Sequence, residues 1–208
     1  MPGLPNRSLH GGSSKSHALP REFYARFTPV VARDLLGRNL VRRLGVLSLE
    51  GKIVEAEAYR GSDDPASHAY HGKTSRNQVM FGKPGVAYVY FTYGMHHCLN
   101  VVTEEEGVPG AVLIRALEPM NGIEEMKKRR RTSDLRALTN GPARLTQAMA
   151  ITRSLNGIDM TVPGELFVSA APPNPIPRTV CSRRIGVRLG REKPWRYQVR
   201  GNPYVSGR

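Results

Sequence analysis

Apolar and polar positions divide the chain into short segments of changing period. Val30, Val31, Leu35 and Leu36 fall on one face of a 3.6-residue repeat. They predict a helix with Thr28 as N-cap, Pro29 at the first helical position and Gly37 as its stop. Strands are predicted over residues 39–43, 46–49 and 52–59, followed by a polar loop over 60–78 broken by Gly61, Pro65 and Gly72. A second β block covers 86–93, turns near Gly94 and resumes over 98–103, and 111–117 is a further strand. Residues 124–131 read as a very basic helix, and Pro142 opens another that carries Leu145 and Met149 on one face. Strand character returns around 195–199. Helices and strands mix without a regular βαβ alternation or an internal repeat. The expected fold is α+β: one compact domain with a curved, mainly antiparallel sheet and surrounding helices. Residues 1–19, rich in Gly, Ser and Pro with no apolar period, are expected to be a disordered tail before a single domain over 20–208.

Composition narrows the partners. A chain of 208 residues suits one domain, and 39% hydrophobic with 23% charged residues excludes wholesale disorder. Thirty-one Lys and Arg oppose 17 Asp and Glu, a formal charge of +14, which predicts a polyanionic partner. Cys98 and Cys181 are too few for a disulfide framework or a cysteine-based zinc site, so a reducing, intracellular compartment is expected. No signal peptide is read at the N-terminus. The uncharged run over 84–103 is long enough to span a bilayer, but Pro84, Gly85, Gly94, His96, His97 and Asn100 interrupt it and it alternates. Nucleic acid is therefore favoured over membrane.

Candidate chemistry lies in the β blocks. On a strand over 53–59, Glu55, Glu57 and Tyr59 share one face, and Val54, Ala56 and Ala58 share the other. Buried carboxylates there need donors or a cation, although a solvated strand face would serve them equally well. Arg115, flanked by apolar residues on both sides, needs a partner, and Glu57 or Glu55 suits it, either in catalysis or as a structural ion pair. Tyr88 and Tyr90 face one way and Tyr93 the other. With Gly94 in a turn, Tyr93 and Met95 sit at a tip able to wedge between base pairs, or the tyrosines are β-core residues. His68, His71, His96 and His97 form no recognised metal motif, and His68 suits a hydrogen-bonding pocket residue better. Dispersed basic residues around an aromatic tip fit backbone-tracking of DNA, whereas the run 127–131 reads as a solvated helix face. From these residues alone catalysis by the paired carboxylates, a non-catalytic nucleic-acid-binding module and a metal-dependent hydrolase using these histidines all remain open.

Several ordered stretches select among these. Residues 53–59 (IVEAEAY), 75–81 (SRNQVMF), 88–95 (YVYFTYGM), 112–119 (VLIRALEP), 140–145 (NGPARL) and 200–206 (RGNPYVS) together resemble the alkyladenine (3-methyladenine or methylpurine) DNA glycosylase family. The resemblance spans nearly the whole chain from Arg21 to Ser206. It implies a monofunctional enzyme, without metal or other cofactor, that flips damaged purines out of double-stranded DNA and hydrolyses the base–sugar bond. By the same resemblance Glu57 is the catalytic acid with Arg115 beside it, and Tyr59, His68, Tyr90 and Asn100 line the base pocket. Tyr93, with Met95, fills the gap in the helix, and Lys73, Thr74, Arg76, Arg144 and Arg153 meet the DNA backbone. A monomer is expected, associated with DNA in the nucleoid or nucleus.

Overall fold

The structure is a computed structural model that describes residues 17–92 and 96–207. Its elements run α1 (Arg21–Tyr24), α2 (Thr28–Asp34), β1 (Asn39–Leu44), β2 (Leu47–Arg60), β3 (Ala87–Thr92), β4 (His96–Thr103) and β5 (Gly110–Asn121), then α3 (Ile123–Arg130), α4 (Pro142–Ala148), β6 (Leu166–Val168), β7 (Thr179–Ser182) and β8 (Arg196–Val199). The strands form one antiparallel sheet in the order β3-β4-β5-β2-β1-β6, with β8 added to β2 and β7 to β8. The sheet curls into a half-barrel, so the fold is the expected α+β type.

β2 organises this arrangement. The segments expected over 46–49 and 52–59 are one continuous strand, since Gly51 continues the ladder instead of breaking it. A Cβ on Gly51 would lie 2.9 Å from that of Leu117, so close approach by β5 is why a glycine stands in mid-strand. One edge of β2 pairs with β5 along its length. The other pairs with β1 up to Lys52 and with β8 from Glu55 to Glu57. Both backbone edges at 55–57 are therefore covered, and side chains there can leave only through a face of the sheet.

The period-2 alternation sorts the two faces. On the inner face Ile53, Ala56, Ala58, Val89, Leu99, Val101, Val112 and Ile114 pack against Val31, Leu35 and Leu36, against Met126 of α3, and against Leu145 and Met149. The alternate residues Tyr88, Val102 and Ala111 form a second cluster with Ala69 and Met80. Helix α4 is fastened to β4 by Thr146 Oγ1, which donates to the carbonyl of His97 at 2.9 Å. Helix α2 begins one residue earlier than its sequence signals suggest: Phe27 is the N-cap and Thr28 is already helical. The side chain of Thr28 does not cap. Instead Glu104 Oε1 accepts from Thr28 N at 2.8 Å and Oγ1 at 2.7 Å, which places a carboxylate at the positive end of the helix. Of the expected tail, the His17 carbonyl accepts from the Ala170 amide, Ala18 pairs with Ser169 and Leu19 is buried, while residues 1–16 fall outside the described residues.

Candidate active site

The strands deliver a buried charge cluster to one face of the sheet. Glu55 and Glu57 have no exposed surface, and Arg115 retains only 7%. Two bulges lie side by side here. Ile53 faces Leu117 and Glu55 faces Ala116, so Val54 is unmatched; Ala56 then faces Ile114, so Arg115 is unmatched as well. Freed from a single cross-strand partner, Arg115 reaches both carboxylates: Nε donates to Glu55 Oε1 at 3.0 Å and Nη1 to Glu57 Oε2 at 3.1 Å. The same irregularity moves Val54 away from Ala56 and Ala58. It packs with Ala116 and Val205 in a separate cluster, which corrects the simple alternation expected for this strand. Burial works against the charge on Arg115, but Glu57 and Glu55 outweigh it and hold its pKa above the usual value.

The two carboxylates have different surroundings. Glu55 receives Arg115, Arg196 Nε at 2.6 Å, and the Ser206 amide and hydroxyl at 2.6 and 3.0 Å. Every partner ties it to β5 or to the C-terminal strand and tail, so it acts as an anchor. Glu57 accepts from Tyr59 Oη at 2.7 Å and from Arg115 on Oε2, and from the Ile185 amide at 2.8 Å on Oε1. Three of the roughly four acceptor positions of a carboxylate are thus used.

Glu57 lies directly behind a pocket of about 320 Å³, whose wall includes its three partners Tyr59, Arg115 and Ile185. That volume falls within the roughly 300–1,000 Å³ of small-ligand sites. Aromatic rings line it: His68 packs edge-on to Tyr90 at 4.6 Å, and Tyr88 lies 5.3 Å from Tyr90. Asn100 is buried in the wall and donates from Nδ2 to the Tyr88 carbonyl at 3.1 Å. The sheet register gives Tyr88 and Tyr90 the common face read from the sequence, and sets Cys98 opposite Tyr90 within the same wall. Burial pushes the Tyr88 phenol up to about 12, against the pull of Arg76 and Arg153.

Sequence reasoning thus found five of the residues joined here, Glu57, Arg115, Tyr59, His68 and Tyr90, and Asn100 as a sixth. It missed Ile185 and Cys98, and with them the buried pair in which Arg184, stacked on the Tyr59 ring, donates to Asp64. Ile185 acts through its backbone, and Asp64 and Arg184 meet across 120 residues of chain, so neither left a local pattern. Tyr93 and Met95 lie outside the described residues. Lys73, Thr74, Arg76, Arg144 and Arg153 are all exposed. Arg76 stands 5.7 Å over the Tyr90 ring, and Arg144 lies two residues from Pro142, which lines the pocket. Among the described residues no three His, Cys, Asp or Glu side chains are grouped to hold a metal ion, and no helix is long and apolar enough to cross a membrane.

A buried carboxylate–guanidinium pair behind an aromatic pocket, on a strongly basic chain, is the setting in which the relatives of this sequence become informative. A profile of the methylpurine-DNA glycosylase family matches residues 22–203. The chain belongs to that family. It is 52% identical over 188 residues to a protein of Carboxydothermus hydrogenoformans, covering 90% of this chain and 98% of that one. It is 50% identical over 194 residues to one of Methanocella arvoryzae, covering 91% and 96%. A Chlorobium luteolum protein is 47% identical over 191 residues, covering 90% and 96%. Each of the three is provisionally named a 3-methyladenine DNA glycosylase. The protein is therefore a DNA glycosylase, and DNA is its substrate.

For a glycosylase of this family the charge state of the pocket matters, and His68 is its titratable wall. Partial burial lowers its pKa below the usual 6.5, and the nearby Arg76 charge adds to the effect. The imidazole is thus neutral at pH 7, with Nδ1 3.0 Å from Tyr88 Oη. Because the unfolded chain binds this proton more readily, stability declines as pH falls below about 6.5 and levels off below the folded-state pKa. A proton NMR titration of His68 is expected to give a midpoint below 6.5, and a midpoint at or above it contradicts this account.

Proposed function

We propose that this glycosylase flips alkylated or otherwise damaged purines out of duplex DNA and hydrolyses their N-glycosidic bond with a water activated by Glu57. The observation that carries the reading is a fully buried carboxylate, held by Tyr59 and Arg115, at the back of an aromatic pocket of about 320 Å³. A base inside a stacked duplex is out of reach, so extrusion must precede chemistry, at a cost of a few kcal/mol that is least for damaged pairs. Tyr93 and Met95 offset that cost by filling the vacated stack. Lys73, Thr74, Arg76, Arg144 and Arg153 hold the phosphates on either side.

Once extruded, the base lies among Tyr59, His68 and Tyr90. Their π faces attract a purine made cationic by alkylation, and a neutral His68 adds no repulsion. Asn100 stands in the wall, where contact with the exocyclic amino group disfavours normal guanine; 7-methylguanine carries the same amino group, and its cationic ring and better leaving ability offset that penalty. Glu57 takes a proton from water as the water oxygen bonds to C1′ of the sugar. The C1′–N bond breaks and its electron pair leaves with the base, which turns an alkylated purine cation into a neutral purine. Ionised Glu57 also offsets the positive charge that develops on the sugar. The products are a free purine and an abasic site.

The reading is tested with duplex oligonucleotides that each carry one lesion: 3-methyladenine, 7-methylguanine, hypoxanthine or ethenoadenine. Free base and an abasic site are expected from the methylpurines, with unmodified guanine left in place. Binding of the methylated duplexes without release of either base overturns it.

A further inference from the structure

Against the Tyr59 ring, and outside the residues that line the pocket, lies an ion pair with no exposed side-chain surface. Arg184 Nη1 donates to Asp64 Oδ2 at 2.6 Å and Nη2 to Oδ1 at 2.7 Å, a two-pronged contact across the fold. Nη1 also donates to the Ala58 carbonyl at 2.9 Å, and Nη2 to that of Gly190 at 3.0 Å. The guanidinium carbon sits 4.8 Å over the Tyr59 ring and 5.4 Å from that of Trp195. Asp64 in turn accepts from the Arg60 and Ala66 amides. One pair thus joins the end of β2, the loop that supplies Ala66 and His68, and the segment whose Ile185, Gly186 and Val187 close the pocket. Gly190, with φ +63°, leaves the room: a Cβ there would lie 2.9 Å from Arg184 Nη2. Buried ion pairs add little net stability over apolar packing, so what this one supplies is geometry.

We infer that Arg184, locked onto Asp64, is a positioning residue for base excision: it sets the Tyr59 ring and the Ile185 amide against Glu57 and so acts on bond cleavage, not on DNA binding. The inference rests on the roles given to Glu57 and Tyr59 above. Arg184 does not line the pocket, and its effect passes through the neighbouring residue. The Ile185 amide donates to Glu57 Oε1 at 2.8 Å, so a slack Arg184 lets that donor, and the wall with it, drift.

The test uses full-length Arg184→Lys and Asp64→Asn. Lysine keeps the charge but loses the fork, and asparagine keeps one acceptor oxygen. Single-turnover release of 7-methylguanine from a defined duplex, at saturating protein, is expected to fall by about 10-fold or more. A displacement of an ångström costs on the order of 10²-fold in a well-aligned site. The Kd for the same duplex should stay within about twofold, as expected of a group that touches neither DNA nor pocket. Fluorescence of Trp195, the one tryptophan of the chain, should shift in both variants. Folding at the assay temperature is checked by circular dichroism, and Glu57→Gln serves as the control. Release at the unsubstituted rate, or a loss that only follows weaker binding or the unfolded fraction, overturns the inference. If Glu57→Gln itself releases base normally, the role of Glu57 falls instead. Full-rate Arg184→Lys beside inactive Glu57→Gln removes the positioning role alone.

Discussion

Glu57→Gln is expected to lower release of methylpurines by on the order of 10²–10⁴-fold, the usual contribution of a positioned general base. Glutamine keeps the shape but loses both the basic oxygen and the negative charge that offsets cation character at the sugar. The site also tolerates an amide poorly. Tyr59 Oη, Arg115 Nη1 and the Ile185 amide all donate to this carboxylate, so a glutamine NH₂ must face at least one other donor. An unsatisfied buried group costs about 1–3 kcal/mol, so the variant should also melt earlier and is best assayed in the cold. DNA affinity should persist, because removing an anion from a basic protein does not weaken its attraction to phosphate. Single-turnover excision and equilibrium binding on one methylated duplex separate the two effects. Excision within tenfold of the unsubstituted rate, in a folded variant, is the result that denies Glu57 its role.

The parts of this site that could be read in the sequence are those that lie on one strand. Glu55, Glu57 and Tyr59 alternate on β2, and the bulge at Val54 lies before them, so their common face survives. Tyr88 and Tyr90 on β3 obey the same period, and Arg115 announces itself as a charge inside an apolar run. What could not be read is how strands meet. The unmatched position of Arg115 lets one guanidinium hold two carboxylates, and that follows from register, which no local pattern in either strand encodes. The choice between Glu55 and Glu57 has the same origin. Both are equally acidic in sequence, but β8 and Ser206 use up Glu55, whereas Glu57 faces the pocket wall. Boundaries drifted for similar reasons. Thr28 looks like an N-cap until Glu104, 76 residues away, supplies the acceptor. Gly51 looks like a break until β5 needs the space.

Arg115→Met is expected to destabilise the protein by about 3–5 kcal/mol, the cost of leaving a buried charge without its partner. The loss falls unequally. Glu55 retains Arg196 and Ser206, but Glu57 is left with a phenol and one backbone amide and no cation among the hydrogen bonds described. Methionine fills much of the arginine's length with apolar atoms, so the change tests charge pairing more than volume. The prediction is sharpened by the double variant Arg115→Met/Glu57→Gln, which removes cation and anion together. Its destabilisation should fall short of the sum of the two single losses by about 0.5–3 kcal/mol, as expected for residues in direct contact. Urea unfolding of the four proteins measures the cycle. A single variant within about 1 kcal/mol of the unsubstituted protein, or strict additivity in the double, would show that Arg115 does not hold Glu57 through charge. Base release should vanish in both Arg115 variants, because the same guanidinium that neutralises Glu57 in the fold also lines the pocket in which the bond is cut.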